Sequence, residues 1–184
     1  MNSGAPAVFL DRDGTINIEK NYLYRIEDLE LIPGTGEGIA LLNRAGYRVV
    51  VVSNQSGIGR GFYKESDVHL LHRHLDSLLA SFDARIDAYY YCPHHPEHGQ
   101  GEYRRECACR KPLPGMLLQA AADLDLDLDR SFMIGDKLVD LEAGKAAGCR
   151  TLLVRTGYGE VPEQTDDLIV CDDLLAAARQ ITGK

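Results

Sequence analysis

The sequence predicts an α/β fold with a doubly wound, mostly parallel sheet, and three observations carry that expectation. Short continuous apolar runs rich in Val, Ile and Leu recur along the chain, as in strands buried on both faces. Between them lie stretches with apolar residues every three or four positions, the period of a helix with one buried side. Several runs stop abruptly at carboxylates, hydroxyls or amides, and strand–helix alternation brings such strand ends to one edge of the sheet.

The first run, Ala7–Leu10, ends in Asp11-Arg12-Asp13-Gly14-Thr15. Ile16–Leu31 has no clean period and reads as an ordered loop leading to Pro33-Gly34. Glu37–Ala45 carries Ile39, Ala40, Leu42 and Ala45 at helical spacing and is closed by Gly46. Tyr47–Val52 is a second buried strand, ending at Ser53-Asn54-Gln55-Ser56. Gly57-Ile58-Gly59-Arg60-Gly61 imitates a dinucleotide loop, but its spacing lacks the third glycine of that fingerprint, and it reads as a flexible loop. Lys64–Phe82 is a long amphipathic helix; its His69, His72 and His74 do not share a face and are expected in solvent.

Ile86–Tyr91 is a third strand, and Cys92–Cys109 is polar and aperiodic. After Arg110-Lys111-Pro112 come a helix from about Gly115 to Leu124 and a strand, Ser131–Gly135, ending at Asp136-Lys137. The acidic run Asp123–Asp129 lacks the glycine and terminal acid of a calcium loop and reads as a helix end and connection. Val139–Ala147 is a helix stopped by Gly148, Arg150–Val154 and Leu168–Val170 are strands, and Leu174–Ile181 is a final helix.

With 184 residues the chain has the length of one domain, residues 1–184, with no repeat or linker. A net charge of −8 argues against a duplex nucleic-acid surface or a polybasic membrane face. No apolar run approaches the roughly 20 residues of a membrane span. The start, Met1–Pro6, lacks the basic and apolar regions of an export signal, so a cytoplasmic location is expected. Of five cysteines, three cluster, which in a reducing compartment favours a metal site over disulfides. Cys92-x-His94 and Cys107-x-Cys109 supply two close ligand pairs whose thiolates and imidazole select Zn²⁺ in a closed, structural site. His95 and His98 are alternative ligands, though His94 mirrors the gap of the cysteine pair. Cys149 and Cys171 read as ordinary buried thiols.

Four polar clusters thus share the sheet edge: Asp11/Asp13, Ser53/Asn54, Arg110/Lys111 and Gly135-Asp136-Lys137. Two or three carboxylates suit a hard cation such as Mg²⁺, while a lysine and a hydroxyl suit phosphoryl oxygens. One Asp is then free to attack and another to carry a proton.

Asp11-x-Asp13-Gly14-Thr15, Ser53-Asn54, Lys111-Pro112 and Gly135-Asp136-x-x-x-Asp140 resemble the four ordered motifs of the haloacid dehalogenase (HAD) superfamily phosphatases, over residues 8 to about 155. The resemblance implies a HAD-like Rossmannoid sheet in which Asp11 attacks phosphorus to give an aspartyl-phosphate. Asp13 then acts as acid and afterwards as base. Mg²⁺ is implied on Asp11, the backbone carbonyl of Asp13, and Asp136. Ser53 and Lys111 are implied to steady the phosphoryl group, and Asp140 to orient Lys137 or Lys111. A raised pKa is expected for Asp13, from its neighbouring carboxylate and from burial. The Cys-x-His…Cys-x-Cys loop is similar to that of a HAD subgroup acting on heptose bisphosphate or histidinol phosphate.

Only 39 residues separate Asp13 from Ser53, and 57 separate Ser53 from Lys111. Helices, a strand and the zinc loop fill both intervals, so no separate cap domain and an open site are expected. Arg110 beside Lys111 suits a second phosphate, which favours D-glycero-D-manno-heptose 1,7-bisphosphate over histidinol phosphate. By the same resemblance Glu19, Lys20, Asn21, Tyr22, Ser53, Asn54, Gln55, Ser56, Arg110, Lys111 and Lys137 line the substrate. The expectation is a monomeric Mg²⁺-dependent phosphatase with structural Zn²⁺ that binds neither nucleic acid nor membrane. The alternatives are a histidinol-phosphate phosphatase or a non-catalytic, zinc-stabilised interaction module.

Overall fold

The computed structural model describes residues 4–161 and 168–184. Its β-strands are β1 (Ala7–Leu10), β2 (Arg48–Asn54), β3 (Ala88–Cys92), β4 (Phe132–Gly135), β5 (Arg150–Val154) and β6 (Ile169–Cys171). They form a parallel sheet in the order β3-β2-β1-β4-β5-β6. Between them run α1 (Thr35–Arg44), the single turn α2 (Ser56–Gly59), α3 (Glu65–Ala80), α4 (Gly115–Leu124), α5 (Leu138–Ala147) and α6 (Leu174–Thr182).

The sequence pattern explains the two layers. Val8 and Leu10 of β1, Val49 and Val51 of β2, and Ile134 of β4 face a core shared with Leu71, Leu75 and Leu79 of α3, and with α1 and α6. The alternate residues Phe9, Val50, Val52 and Met133 face a second core closed by α4 and α5. Because both faces are covered, both sets of alternating side chains are apolar, and the strands read as continuous runs. The strand order reverses beside β1, between β1–β2 and β1–β4 pairing, and open α/β sheets bind ligands in the crevice outside that point.

Most element edges lie within two residues of the sequence expectation. β2 extends to Asn54, so the strand itself delivers Ser53 and Asn54 to the sheet edge. The glycine-rich stretch is not a flexible loop. Ser56–Gly59 forms a helical turn with Gly57, Ile58 and Gly59 buried. The acidic run is a helix end as expected: α4 stops at Leu124, and Asp125 takes a left-handed conformation with φ 51°.

His72 is a correction. It is only 6% exposed and stacks on Tyr89 at 4.1 Å between ring centroids. Its Nε2 has no hydrogen-bond partner. Three histidines that share no face are expected in solvent, but the stripe of α3 is wide enough to take His72 in with Leu71 and Leu75. Burial pushes its pKa down to about 3, with Arg12 and His69 adding to the effect. The folded value lies below the ordinary 6.5, so stability is full above that pH and is lost as pH falls toward 3. His72→Phe is expected to flatten the acid side of the stability curve by about 1.4 kcal/mol per pH unit between about pH 6.5 and pH 4. Melting of both proteins across that range checks it, and parallel curves would refute it.

Candidate active site

A cleft of about 340 Å³ opens at the carboxyl ends of β1, β2 and β4. Among the expected residues, Asp11, Asp13, Glu19, Asn21, Tyr22, Ser53, Asn54, Gln55, Ser56, Arg110, Lys111 and Lys137 all line it, together with Tyr63, Val139 and Asp140. Lys20 does not. Its ammonium pairs with Glu30 at 3.3 Å on the exposed side of the loop.

Lys111 is the electrostatic centre. Its Nζ donates to Asp11 Oδ1 at 2.9 Å and to the Val52 carbonyl at 2.8 Å, and lies 2.7 Å from Asp140 Oδ1. The surrounding carboxylates hold its pKa above the ordinary lysine value despite burial, so it is a fixed cation. Its backbone is clamped by Asn54, whose Nδ2 donates to the Lys111 carbonyl while Oδ1 accepts from the Lys111 N–H, both at 3.0 Å. Asp140 is engaged from both oxygens, since Oδ2 accepts the Lys137 N–H at 3.1 Å and caps the start of α5. Of the two expected targets, Asp140 therefore orients the Lys111 side chain.

Asp11, Asp136 and Asp140 bring carboxylate oxygens within 4.8 Å of one another. Burial pushes the Asp11 pKa up to about 7, with Asp140 and Asp136 adding and Lys111 opposing. Asp136 is 1% exposed, and neither of its carboxylate oxygens has a hydrogen-bond partner. The Lys137 ammonium reaches it only at 3.8 Å. An anion desolvated in this way is costly unless a cation neutralises it, so the donor set fits a hard divalent ion. The backbone presses close around it: a Cβ on Gly14, which has φ +87°, would sit 2.6 Å from Asp136 Oδ2.

Asp13 contradicts its expected titration. Arg12, fully buried, donates from Nη2 to Asp13 Oδ2 at 2.9 Å, and Asn17 Nδ2 donates to Oδ1 at 3.0 Å. Burial alone would raise the pKa, but the Arg12 charge and the Asn17, Arg12 and Gln55 hydrogen bonds hold it below the usual carboxylate range. Sequence spacing showed the neighbouring carboxylate but not the buried guanidinium between the two. With its side chain turned to these donors, Asp13 is not among the clustered carboxylates Asp11, Asp136 and Asp140.

Cys92, His94, Cys107 and Cys109 form a second cluster, again with ligand atoms within 4.8 Å of one another. Sγ of Cys92 lies 3.5 Å from Sγ of Cys107 and 3.1 Å from that of Cys109, and His94 Nδ1 lies 3.4 Å from Sγ of Cys109. The four ligand atoms are thus gathered into the small space that a tetrahedral ion with Zn–S bonds of about 2.3 Å needs. His95 and His98 are not in the cluster: they face each other, ring centroids 4.6 Å apart, with Glu97 and His98 backbone N–H groups donating to His95 Nδ1. The loop bears directly on the cleft, because Arg110 Nη1 donates to the His94 carbonyl at 3.3 Å. Cys149 is buried as expected, while Cys171 is half-buried in β6.

Sequence reasoning missed the segment after β5. Thr156 Oγ1 donates to the Gly14 carbonyl at 2.7 Å, and Gly157 packs its backbone on Asp136. Tyr158 Oη donates to the Glu19 carbonyl at 3.0 Å, and Glu19 Oε2 pairs with Lys137 at 3.3 Å. The signal was present: Thr156-Gly157-Tyr158-Gly159 follows a strand at the same sheet edge as the other motifs.

A HAD-hydrolase-like family model matches residues 108–177. A D-glycero-beta-D-manno-heptose-1,7-bisphosphate 7-phosphatase from Photorhabdus laumondii is 47% identical over 173 residues, 92% of each chain. The enzyme of the same name from Escherichia coli K12 is 46% identical over 89% of this chain and 86% of its own. Among solved structures, D,D-heptose 1,7-bisphosphate phosphatase from B. bronchiseptica, complexed with magnesium and phosphate, superposes with a TM-score of 0.82 at 36% identity, covering 96% of this chain and 97% of that one.

Proposed function

The chain belongs to the family of D-glycero-beta-D-manno-heptose-1,7-bisphosphate 7-phosphatases among the HAD-like hydrolases, and from that premise we propose how its residues carry the reaction. It is a phosphatase of heptose metabolism that removes the 7-phosphate of heptose 1,7-bisphosphate to leave heptose 1-phosphate. The observation that carries the reading is the convergence, at one edge of the sheet, of Asp11, Lys111 and an Asp136 carboxylate that accepts no hydrogen bond.

Asp11 Oδ is the nucleophile, and attack on the 7-phosphoryl group gives an aspartyl-phosphate. Asp11, Asp136 and the Asp13 carbonyl would hold Mg²⁺, with Asp140 at the edge of that set. Bound there, the ion supplies charge neutralisation that lets a carboxylate approach a phosphate dianion. Lys111 and Ser53 bind the transferring oxygens, Lys111 already aimed by Asp140. Asp13 protonates the departing sugar oxygen and then takes a proton from the water that hydrolyses the intermediate. Held ionised by Arg12 at rest, it is in the basic form needed for the second step, and the incoming phosphate dianion favours its protonation for the first. Cys92, His94, Cys107 and Cys109 would hold Zn²⁺, and so tie down the loop that runs into Arg110 and Lys111. Glu19, Asn21, Tyr22 and Lys137 border the sugar side of the cleft.

No helix among the described residues is long and apolar enough to cross a membrane. We place the enzyme in the cytoplasm, acting as a monomer of one domain on a small-molecule substrate.

The test is phosphate release from a panel of sugar phosphates and bisphosphates, with histidinol phosphate, in Mg²⁺. Heptose 1,7-bisphosphate is expected to give the highest kcat/KM, and a preference for histidinol phosphate would overturn the substrate reading. Arg110→Ala is expected to lower kcat/KM on the bisphosphate by about 10- to 100-fold, the worth of one charged hydrogen-bond donor to phosphate, with monophosphates within about twofold. An equal loss on both kinds of substrate would show that Arg110 does not read the second phosphate.

A further inference from the structure

Gln55 lines the cleft, yet its side chain has nothing left to offer a substrate. Its Nε2 donates to Asp13 Oδ2 at 3.1 Å and to Ser53 Oγ at 2.6 Å. Its Oε1 accepts from Tyr63 Oη at 2.7 Å and from Arg12 Nη2 at 3.3 Å. A carboxamide has two donor hydrogens and two acceptor lone pairs, and all four are used inside the protein. The two donations to Oε1 also fix which way the amide faces: oxygen toward Tyr63 and Arg12, nitrogen toward Asp13 and Ser53.

Tyr63 is built into this arrangement. It is 7% exposed and stacked on Tyr24 with ring centroids 5.5 Å apart. Burial pushes its hydroxyl pKa up, so it remains a donor at any working pH. Its ring lies against Gly57, where a Cβ would come within 2.2 Å of Tyr63 Cε1. The first glycine of the stretch that imitates a dinucleotide loop is thus the position that admits the ring. Neither Tyr63 nor Gly57 belongs to the four motifs.

We propose that Gln55, held by Tyr63, is a positioning residue that sets Asp13 and Ser53 against each other, and is not a contact to the sugar. This rests on the proposed roles of Asp13 and Ser53. By donating to Ser53 Oγ, the amide occupies a lone pair and leaves the serine hydrogen free to donate to a phosphoryl oxygen. By donating to Asp13 Oδ2, it fixes the rotamer of the proton carrier about the leaving oxygen. One planar group therefore spaces the residue that binds the phosphoryl group from the residue that moves the proton.

The experiment measures kcat, KM and Tm for wild type, Gln55→Met, Tyr63→Phe and the double variant on heptose 1,7-bisphosphate with Mg²⁺. Gln55→Met, similar in length and unable to hydrogen-bond in this way, is expected to lose about 100-fold in kcat with KM within about twofold. Tyr63→Phe is expected to lose about tenfold in kcat, and the double variant to be no slower than Gln55→Met, as for two members of one relay. A raised KM at unchanged kcat in Gln55→Met would make Gln55 a sugar contact and overturn the proposal, as would losses that multiply in the double variant. If Gln55→Met proves unfolded by its melting curve, Gln55→Leu likewise removes both donations without placing a second carboxylate against Asp13. The same fall in kcat is expected there, and a wild-type kcat would overturn the relay. Wild type inactive on the bisphosphate would refute the substrate reading alone, and the relay is then measured on whichever phosphomonoester of the panel wild type hydrolyses.

Discussion

Asp11→Asn is expected to abolish phosphate release, by about 10⁴-fold or more, while the fold persists. An amide oxygen is a poor nucleophile, and nothing else in the cleft combines a carboxylate with a lysine ammonium at 2.9 Å and a second carboxylate beside it that accepts no hydrogen bond. Burial and the charges of Asp140 and Asp136 already press on Asp11, so replacing it with a neutral isostere relieves a desolvated anion. Lys111 keeps Asp140 and the Val52 carbonyl as partners. The melting temperature is therefore expected to be equal or slightly higher, a stability gained at an active-site position at the expense of activity. A variant that turns over like wild type would refute the covalent step. One that unfolds would show that Asp11 is held for structure.

Removing zinc is expected to have the second largest effect, on stability and turnover together. The segment from Pro93 to Ala108 contains no strand and no α-helix, only short turns such as Gly101–Tyr103, and cannot bury a core of its own. A four-ligand site with apparent binding on the order of 10 kcal/mol would take the place of that core. Cys109→Ser, or treatment with a strong chelator, is expected to lower Tm by about 10 °C or more, for a loss of several kcal/mol in a chain of this size. It is also expected to cost about 100-fold in kcat/KM, because Arg110 is tied to the His94 carbonyl and Lys111 follows it directly. Metal analysis should return about one zinc per chain before treatment and none after. Unchanged melting and activity in zinc-free protein would show that the loop is held by its other contacts, such as Tyr103 Oη on Glu65 at 2.8 Å.

Much of this was legible in the sequence because the signals are periodic or local. Continuous apolar strands, amphipathic helices and polar strand ends gave the sheet and its reactive edge, and the paired Cys/His spacing gave the second cluster. What escaped the sequence depends on contacts between distant residues. The Asp13 pKa turns on where Arg12 points, and nothing in the spacing Asp11-Arg12-Asp13 shows that the guanidinium is fully buried. His72 looked exposed because its burial depends on how wide a stripe α3 presents to Tyr89 on β3. Lys20 lies in a run expected to line the substrate, but its ammonium is held outside the cleft by Glu30, which lies further along the chain and is brought beside it only by the path of the loop. Asn54 and Gln55 do reach the cleft, but Asn54 is engaged with the Lys111 backbone and Gln55 with the Asp13–Ser53 pair, which no spacing rule reveals.

The central claim is that these strand ends assemble a carboxylate nucleophile at Asp11. It is tested most directly by quenching wild-type enzyme in acid during steady turnover of heptose 1,7-bisphosphate with Mg²⁺, reducing with borohydride, and sequencing the peptides by mass. A reduced aspartyl-phosphate, found as homoserine at position 11 and only in samples given substrate, is the predicted result. Unmodified Asp11 in enzyme quenched during steady turnover, or modification at Asp13 or Asp136 instead, would contradict it.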